Sequence, residues 1–131
     1  MLKRILALAL TLAMATGLAV VLVGCGSGLS EAERNRLADQ FLEDTRETYE
    51  SLREGHQQAR LAGRTGPADA YLEAAEAIGE NREQIANAIR ETAVDPTVES
   101  IERLISAALH FHEATLNRLE VRLELYRVRG H

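Results

Sequence analysis

The sequence predicts an all-α protein, a three-helix antiparallel bundle with up-down-up topology. Apolar residues recur every three or four positions through three long segments, which is the spacing of one face of a helix. Turn residues at 62–67 and 94–96 separate these segments, and short turns place neighbouring helices antiparallel. No segment sustains the alternation of apolar and polar residues that would predict a strand.

The first 25 residues begin with positive charge and then become apolar. Lys3 and Arg4 precede a run from Ile5 to Val23 that contains no charged residue. A positive start, an apolar stretch and small residues before a cleavage site are typical of a secretory signal peptide. The run is also close to the ~20 residues that a membrane-spanning helix needs, so an uncleaved single-span anchor in the inner membrane is the alternative.

The segment Leu22-Val23-Gly24-Cys25 closes that run and contains the only cysteine of the sequence. It resembles the lipobox of bacterial lipoproteins, and the resemblance covers residues 1–25. It implies that a signal peptidase recognises Leu22, Val23 and Gly24, cuts after Gly24, and leaves Cys25 to carry covalent lipid. The protein would then be anchored to a membrane by that lipid. Gly26 in place of Asp implies, by the same resemblance, the outer membrane with the domain facing the periplasm.

This reading divides the chain into a signal peptide (1–24), a lipidated cysteine with a short Gly/Ser tether (25–29) and a helical domain (30–131). The last part has the length of one small domain. The whole chain has 15 Lys and Arg against 20 Asp and Glu, a net charge of −5. Nonspecific nucleic-acid binding needs clustered cations, so we expect no nucleic-acid partner. At ~3.5 Å per residue, the tether holds the domain close to the membrane.

The first helix is expected to run from Glu31 to about Leu61. Ser30 precedes it with Glu33 three residues later, which is the pattern of a capping box. We expect Gly55 to lie inside a continuous helix, although glycine costs about 1 kcal/mol there. The predicted apolar face of this helix comprises Leu37, Phe41, Thr45, Thr48 or Tyr49, and Leu52.

The second helix is expected from about Pro67 to Thr92, because the turn at 62–67 contains glycine placed to end the first helix and Pro67 placed to start the next. Gly79 lies within it, inside the helix or at a kink. Its predicted apolar face comprises Tyr71, Ala74, Ile78, Ile85 and Ile89. The third helix is expected to have Asp95 as its N-cap and Pro96 as its first residue, and to end near Arg129.

The third helix has two apolar stripes near its C-terminus. The first comprises Leu116, Leu119, Leu123 and Tyr126, and the second comprises Val121, Leu125 and Val128. Residues two apart on a helix lie ~200° apart, so the stripes are on nearly opposite sides. Either this helix is wedged between the other two and buries both stripes, or the second stripe is exposed and contacts a partner.

The same end of the third helix is basic. Arg122, Arg127 and Arg129 lie within its last two turns. Cations at a helix C-terminus are favoured by the helix dipole, which is the ordinary explanation. The functional alternative is a docking point for an anionic partner such as a wall polymer.

Groups that could carry out chemistry are sparse. His110 and His112 are two residues apart and point to opposite sides of one helix, and no Glu-x-x-His pair or catalytic triad is evident. We therefore expect no enzymatic activity, no metal site and no cofactor besides the lipid on Cys25. The expected function is that of a membrane-anchored envelope lipoprotein, a structural or interaction module for an envelope protein, a wall polymer or a second copy. The alternative is a bundle that binds a small apolar or metal ligand between its helices.

Overall fold

The computed structural model describes residues 28–91 and 97–129. Three helices account for nearly all of them: α1 (Glu31–Leu61), α2 (Thr65–Arg90) and α3 (Val98–Arg129). These two ranges contain no strand, so the all-α prediction with three helices is confirmed. Across the same ranges, no helix has both the length and the hydropathy needed to span a membrane. The lipobox Leu22–Cys25, with Asp95 and Pro96, lies outside the described residues.

The ends of α1 follow local sequence signals. Ser30 Oγ accepts the backbone N–H of Glu33 at 3.2 Å and donates to the Glu33 carboxylate at 3.0 Å, so the predicted N-cap is confirmed. At the other end Gly63 has a φ of +73°, a conformation that favours glycine. The Gly63 N–H donates to the Arg60 carbonyl at 3.0 Å, and the Arg64 N–H donates to the Ala59 carbonyl at 2.9 Å. These two bonds form the Schellman motif that ends a helix at glycine.

The other helix ends differ slightly from the predictions. Helix α2 begins at Thr65, and Pro67 lies inside its first turn, where a missing N–H breaks no helical hydrogen bond. Helix α3 begins at Val98, where Thr97 Oγ1 accepts the Ser100 N–H at 3.2 Å and so caps the helix, while the predicted start at Pro96 lies outside the described residues. Gly55 and Gly79 both lie within continuous helices, as expected for Gly55.

The contacts between neighbouring helices follow one pattern. As residue numbers rise along one helix, the numbers of the residues they contact on the next helix fall. Between α1 and α2 they join Asp39 to Arg90, Tyr49 to Gly79, and Gly55 to Tyr71. Between α2 and α3 they join Asn81 to His112, Glu73 to Arg122, and Gly66 to Tyr126. Helices α1 and α2 form the closest pair, and α3 packs mainly on α2.

Each of the three tyrosines of the chain lies against a glycine on a neighbouring helix. A Cβ atom built on the glycine would come within 2.5–2.8 Å of a ring carbon, closer than such atoms approach. The pairs are Gly55 with Tyr71, Gly79 with Tyr49, and Gly66 with Tyr126. This close approach explains why helices α1 and α2 contain glycine in spite of its cost to helix stability.

The core consists of two apolar clusters. One joins the start of α1 to the end of α2 and the start of α3, and its buried members include Leu37, Ala38, Ile89 and Ile101. The other joins the second half of α1 to the first half of α2 and the later part of α3. Its buried members include Leu52, Ala74, Ile78, Leu116 and Leu119. The predicted apolar face of α1 is buried, as are Ala74, Ile78 and Ile89 of the predicted α2 face, while Tyr71 and Ile85 are half-buried.

Candidate contact surface and buried polar layer

The second stripe of α3 is exposed to solvent. Val121 is 62% exposed, Leu125 47% and Val128 71%, whereas Leu116 and Leu119 of the first stripe are each 2% exposed. The alternative in which α3 buries both stripes is therefore wrong. Helix α3 packs mainly on one neighbour, so only one of its faces enters the core. We call Val121, Leu125 and Val128 the exposed strip.

An open groove runs beside this strip. It has a volume of about 840 Å³ and lies between the end of α1, the start of α2 and the last third of α3. Its lining includes Ala59, Pro67, Tyr71 and Leu123, together with Val121 and Leu125 of the exposed strip. Small-molecule sites usually enclose most of the ligand surface. A groove this open is better suited to a chain segment or a helix of another protein.

The arginines predicted to form a basic tip are largely engaged within the chain. The Arg122 guanidinium bonds to the Glu73 carboxylate of α2, and Arg127 bonds to Glu124 one turn earlier on α3. Hydrogen bonds that the Arg122 guanidinium makes to Tyr126 and Glu73 raise the pKa of Arg122, so it stays charged. Arg129 is exposed at the end of α3. Two of the three predicted cations thus already face carboxylates, which weakens the argument for an anionic partner.

A layer of polar side chains separates the two apolar clusters. The buried imidazole of His112 lies with Nε2 2.9 Å from the amide oxygen of Asn81, so its N–H donates to that oxygen. The His112 ring also packs beside Phe41, with 6.2 Å between the ring centroids. His112 is therefore a packed histidine of the core.

The other half of the layer is built around Arg82 of α2. Its Nε donates to Thr45 Oγ1 at 2.8 Å, and its Nη2 donates to the Leu42 carbonyl at 2.6 Å. The guanidinium also lies 5.2 Å from the centroid of the Tyr49 ring, within range of a cation–π contact. Thr45 Oγ1 donates in turn to the Phe41 carbonyl at 2.8 Å. One side chain of α2 thereby holds three residues of α1.

Burial makes the side chains of this layer unreactive at neutral pH. Desolvation, with a smaller contribution from the positive charge of Arg82, lowers the pKa of His112 to about 4, so the imidazole is neutral. Desolvation also lowers the pKa of the Arg82 guanidinium. Across residues 28–91 and 97–129, no three His, Cys, Asp or Glu side chains converge as a metal site requires. The layer holds the helices in register and offers no accessible nucleophile or base.

Sequence reasoning missed this layer. Thr45 occupies an apolar-face position of α1, and a polar residue at such a position indicates a buried hydrogen bond. Its partner Arg82 lies on another helix, four residues after the buried Ile78, where local spacing also allows an exposed side chain. Comparisons with known proteins give no further guidance, because no family model, curated protein or solved structure matches the sequence.

Proposed function

We propose that this protein is a lipid-anchored bacterial envelope protein that acts by contact and carries out no catalysis. The observation that carries the proposal is the exposed strip of α3, on a helix whose other face is buried. Contiguous apolar surface that stays exposed to water is typical of interaction sites. The open groove beside the strip supplies further apolar surface for the same partner.

The anchor in this proposal is the lipid on Cys25, added after cleavage at Gly24. The short tether 25–29 and the domain 30–131 then follow, with α1, α2 and α3 arranged up, down and up. Because α1 starts beside the tether, α3 ends far from the membrane. The exposed strip accordingly lies at the membrane-distal end of an outer-membrane protein that faces the periplasm.

The chemistry of the strip favours a protein partner. Val121, Leu125 and Val128 present aliphatic surface, and Arg122 and Arg127 are already paired with carboxylates of the same chain. An anionic wall polymer would need cations that are not engaged in this way. The second candidate function is binding of a small apolar ligand in the open groove, which the apolar residues Tyr71 and Leu123 of its lining favour.

The first test concerns the anchor. We expect wild-type protein from bacterial membranes to lack residues 1–24 and to have an added acyl mass at its N-terminus. A Cys25→Ala variant is expected to keep residues 1–24 and to gain no acyl mass, because the thiol that accepts lipid is absent. Intact-mass spectrometry of both proteins measures this, with Ser27→Ala as a control that is processed like wild type. Unprocessed wild-type protein in the membrane would favour the single-span alternative.

The second test concerns contact. A photoreactive amino acid at position 121 or 125 is expected to form covalent adducts in intact cells, because these side chains lie at the interface. The matched control is position 83 of α2, where Glu83 is exposed but lies outside the exposed strip. Adducts are identified by gel shift and mass spectrometry. Equal labelling at positions 121 and 83, or none at either, would contradict the contact role.

A further inference from the structure

The imidazole of His112 lies where the three helices meet. It is 3% exposed and stands near the middle of α3. Its N–H donates to Asn81 of α2 at 2.9 Å, and its ring packs beside Phe41 of α1. One apolar cluster includes Ile101, earlier on α3, and the other includes Leu116, later on α3. A charge on this ring therefore falls between the two clusters, in contact with both other helices.

The groups around this imidazole oppose a positive charge on it. From α2 the guanidinium of Arg82 acts on the ring, and it carries the same sign. From α1 the ring meets Phe41, which has no charge. On α3 the next turn contributes the buried Thr115, whose hydroxyl already donates to the Phe111 carbonyl. Among the described residues no carboxylate acts on the imidazole. A buried cation without such a partner is costly.

Helix α3 can separate with less disruption than the other two. Helices α1 and α2 form the closest pair, and α3 packs mainly on α2. The α1–α2 pair has polar links near both of its ends, away from His112. Arg90 bonds to Asp39 near one end, and His56 Nδ1 lies 2.9 Å from the Ala68 carbonyl near the other. These links do not involve α3, so they remain when α3 separates.

We propose that α3 is an acid-released helix, which separates from the α1–α2 pair when His112 takes up a proton. Separation moves the imidazole into water, where its charge is solvated and lies farther from Arg82. It also uncovers the buried apolar side chains Leu116 and Leu119, so acid creates new apolar surface on the chain. This inference concerns the buried face of α3 and does not depend on the contact role proposed for the exposed strip.

Protonation favours every state in which His112 reaches water. Burial holds the pKa of His112 at about 4 in the closed domain, against 6.5 for an unperturbed histidine. Below pH 6.5 a released α3 therefore binds a proton that the closed domain does not bind. With these two pKa values, the ratio of released to closed chains rises about twentyfold between pH 7 and pH 5. Global unfolding gains by the same factor, so only a comparison between helices identifies release of α3 alone.

Hydrogen–deuterium exchange of the full chain in detergent makes this comparison. Peptides from each helix are followed by mass spectrometry at pH 7 and pH 5, with rates corrected for the intrinsic effect of pH. We expect the protection of α3 amides to fall about twentyfold, and at pH 5 to lie at least about tenfold below that of central α1 and α2 amides. His112→Gln, which stays neutral, is expected to lose less than about threefold. His110→Gln, at an exposed position, is the matched control and is expected to behave like wild type.

Three outcomes overturn the proposal. Equal protection of all three helices at pH 5 would mean that the domain opens as one unit. Unchanged protection of α3 between pH 7 and pH 5 would mean that acid does not release it. An equal loss in wild type and His112→Gln would assign the response to other groups. Should His112→Gln lack wild-type helicity in circular dichroism, the wild-type profile decides. A fall in α3 protection of about sevenfold from pH 6 to pH 5 supports the proposal, and a flat profile overturns it.

Discussion

Acidification from pH 7 to pH 4 is expected to lower the free energy of unfolding by about 3 kcal/mol through His112 alone. The folded chain holds the pKa of this buried imidazole at about 4, against 6.5 for an unperturbed histidine. As the pH falls below 6.5, the unfolded chain binds a proton that the folded chain does not, so the folded state loses stability. Each pKa unit corresponds to 1.36 kcal/mol. Below pH 4 both states are protonated, and this loss stops growing.

Urea unfolding followed by circular dichroism, repeated between pH 7 and pH 4, measures the effect. Carboxylates titrate at the lower end of this window, so the informative quantity is the difference between wild type and a His112→Gln variant. That variant is expected to lose about 3 kcal/mol less than wild type over the same window. His110→Gln serves as the control, because His110 is exposed on the same helix. Identical pH profiles for wild type and His112→Gln would contradict the assignment of a neutral, buried imidazole.

The features that could be predicted from the sequence are those set by neighbouring residues. Ser30 caps α1 by accepting the backbone N–H of Glu33 three residues later, and Gly63 supplies the positive φ that ends α1. The buried face of α1 follows from the period of the helix, which needs no knowledge of the other helices. The start of α3 was less predictable, because Pro96 favours Asp95 as the N-cap, while Thr97 two residues later is also a good capping residue.

The features that could not be predicted depend on how the helices meet. Arg82 is a charged residue that local rules place at the surface, yet it reaches Thr45 and the Leu42 carbonyl of α1. Both stripes of α3 are apolar in sequence. Which of them is buried depends on where α1 and α2 lie, and the close approach of glycine to tyrosine helps to fix that position. The sequence therefore left two alternatives for the second stripe of α3, buried or exposed, and could not decide between them.

Leu119→Ala is expected to lower the free energy of unfolding by about 3 kcal/mol, because it leaves a cavity in the cluster around Ile78 and Leu116. Leu125→Ala removes the same atoms from the same helix six residues later, where the side chain is 47% exposed. Water already reaches that side chain, so the expected loss is less than about 1 kcal/mol. Urea unfolding at low protein concentration measures both variants without a contribution from association between copies.

The comparison of these two leucines tests the observation on which the proposed function rests. If α3 were wedged between α1 and α2, both stripes would be buried and both substitutions would cost about 3 kcal/mol. A large cost at Leu119 with a small cost at Leu125 is expected only when one stripe lies in the core and the other in water. Equal losses of unfolding free energy at the two positions would mean that Leu125 is not exposed apolar surface, and would contradict the contact role.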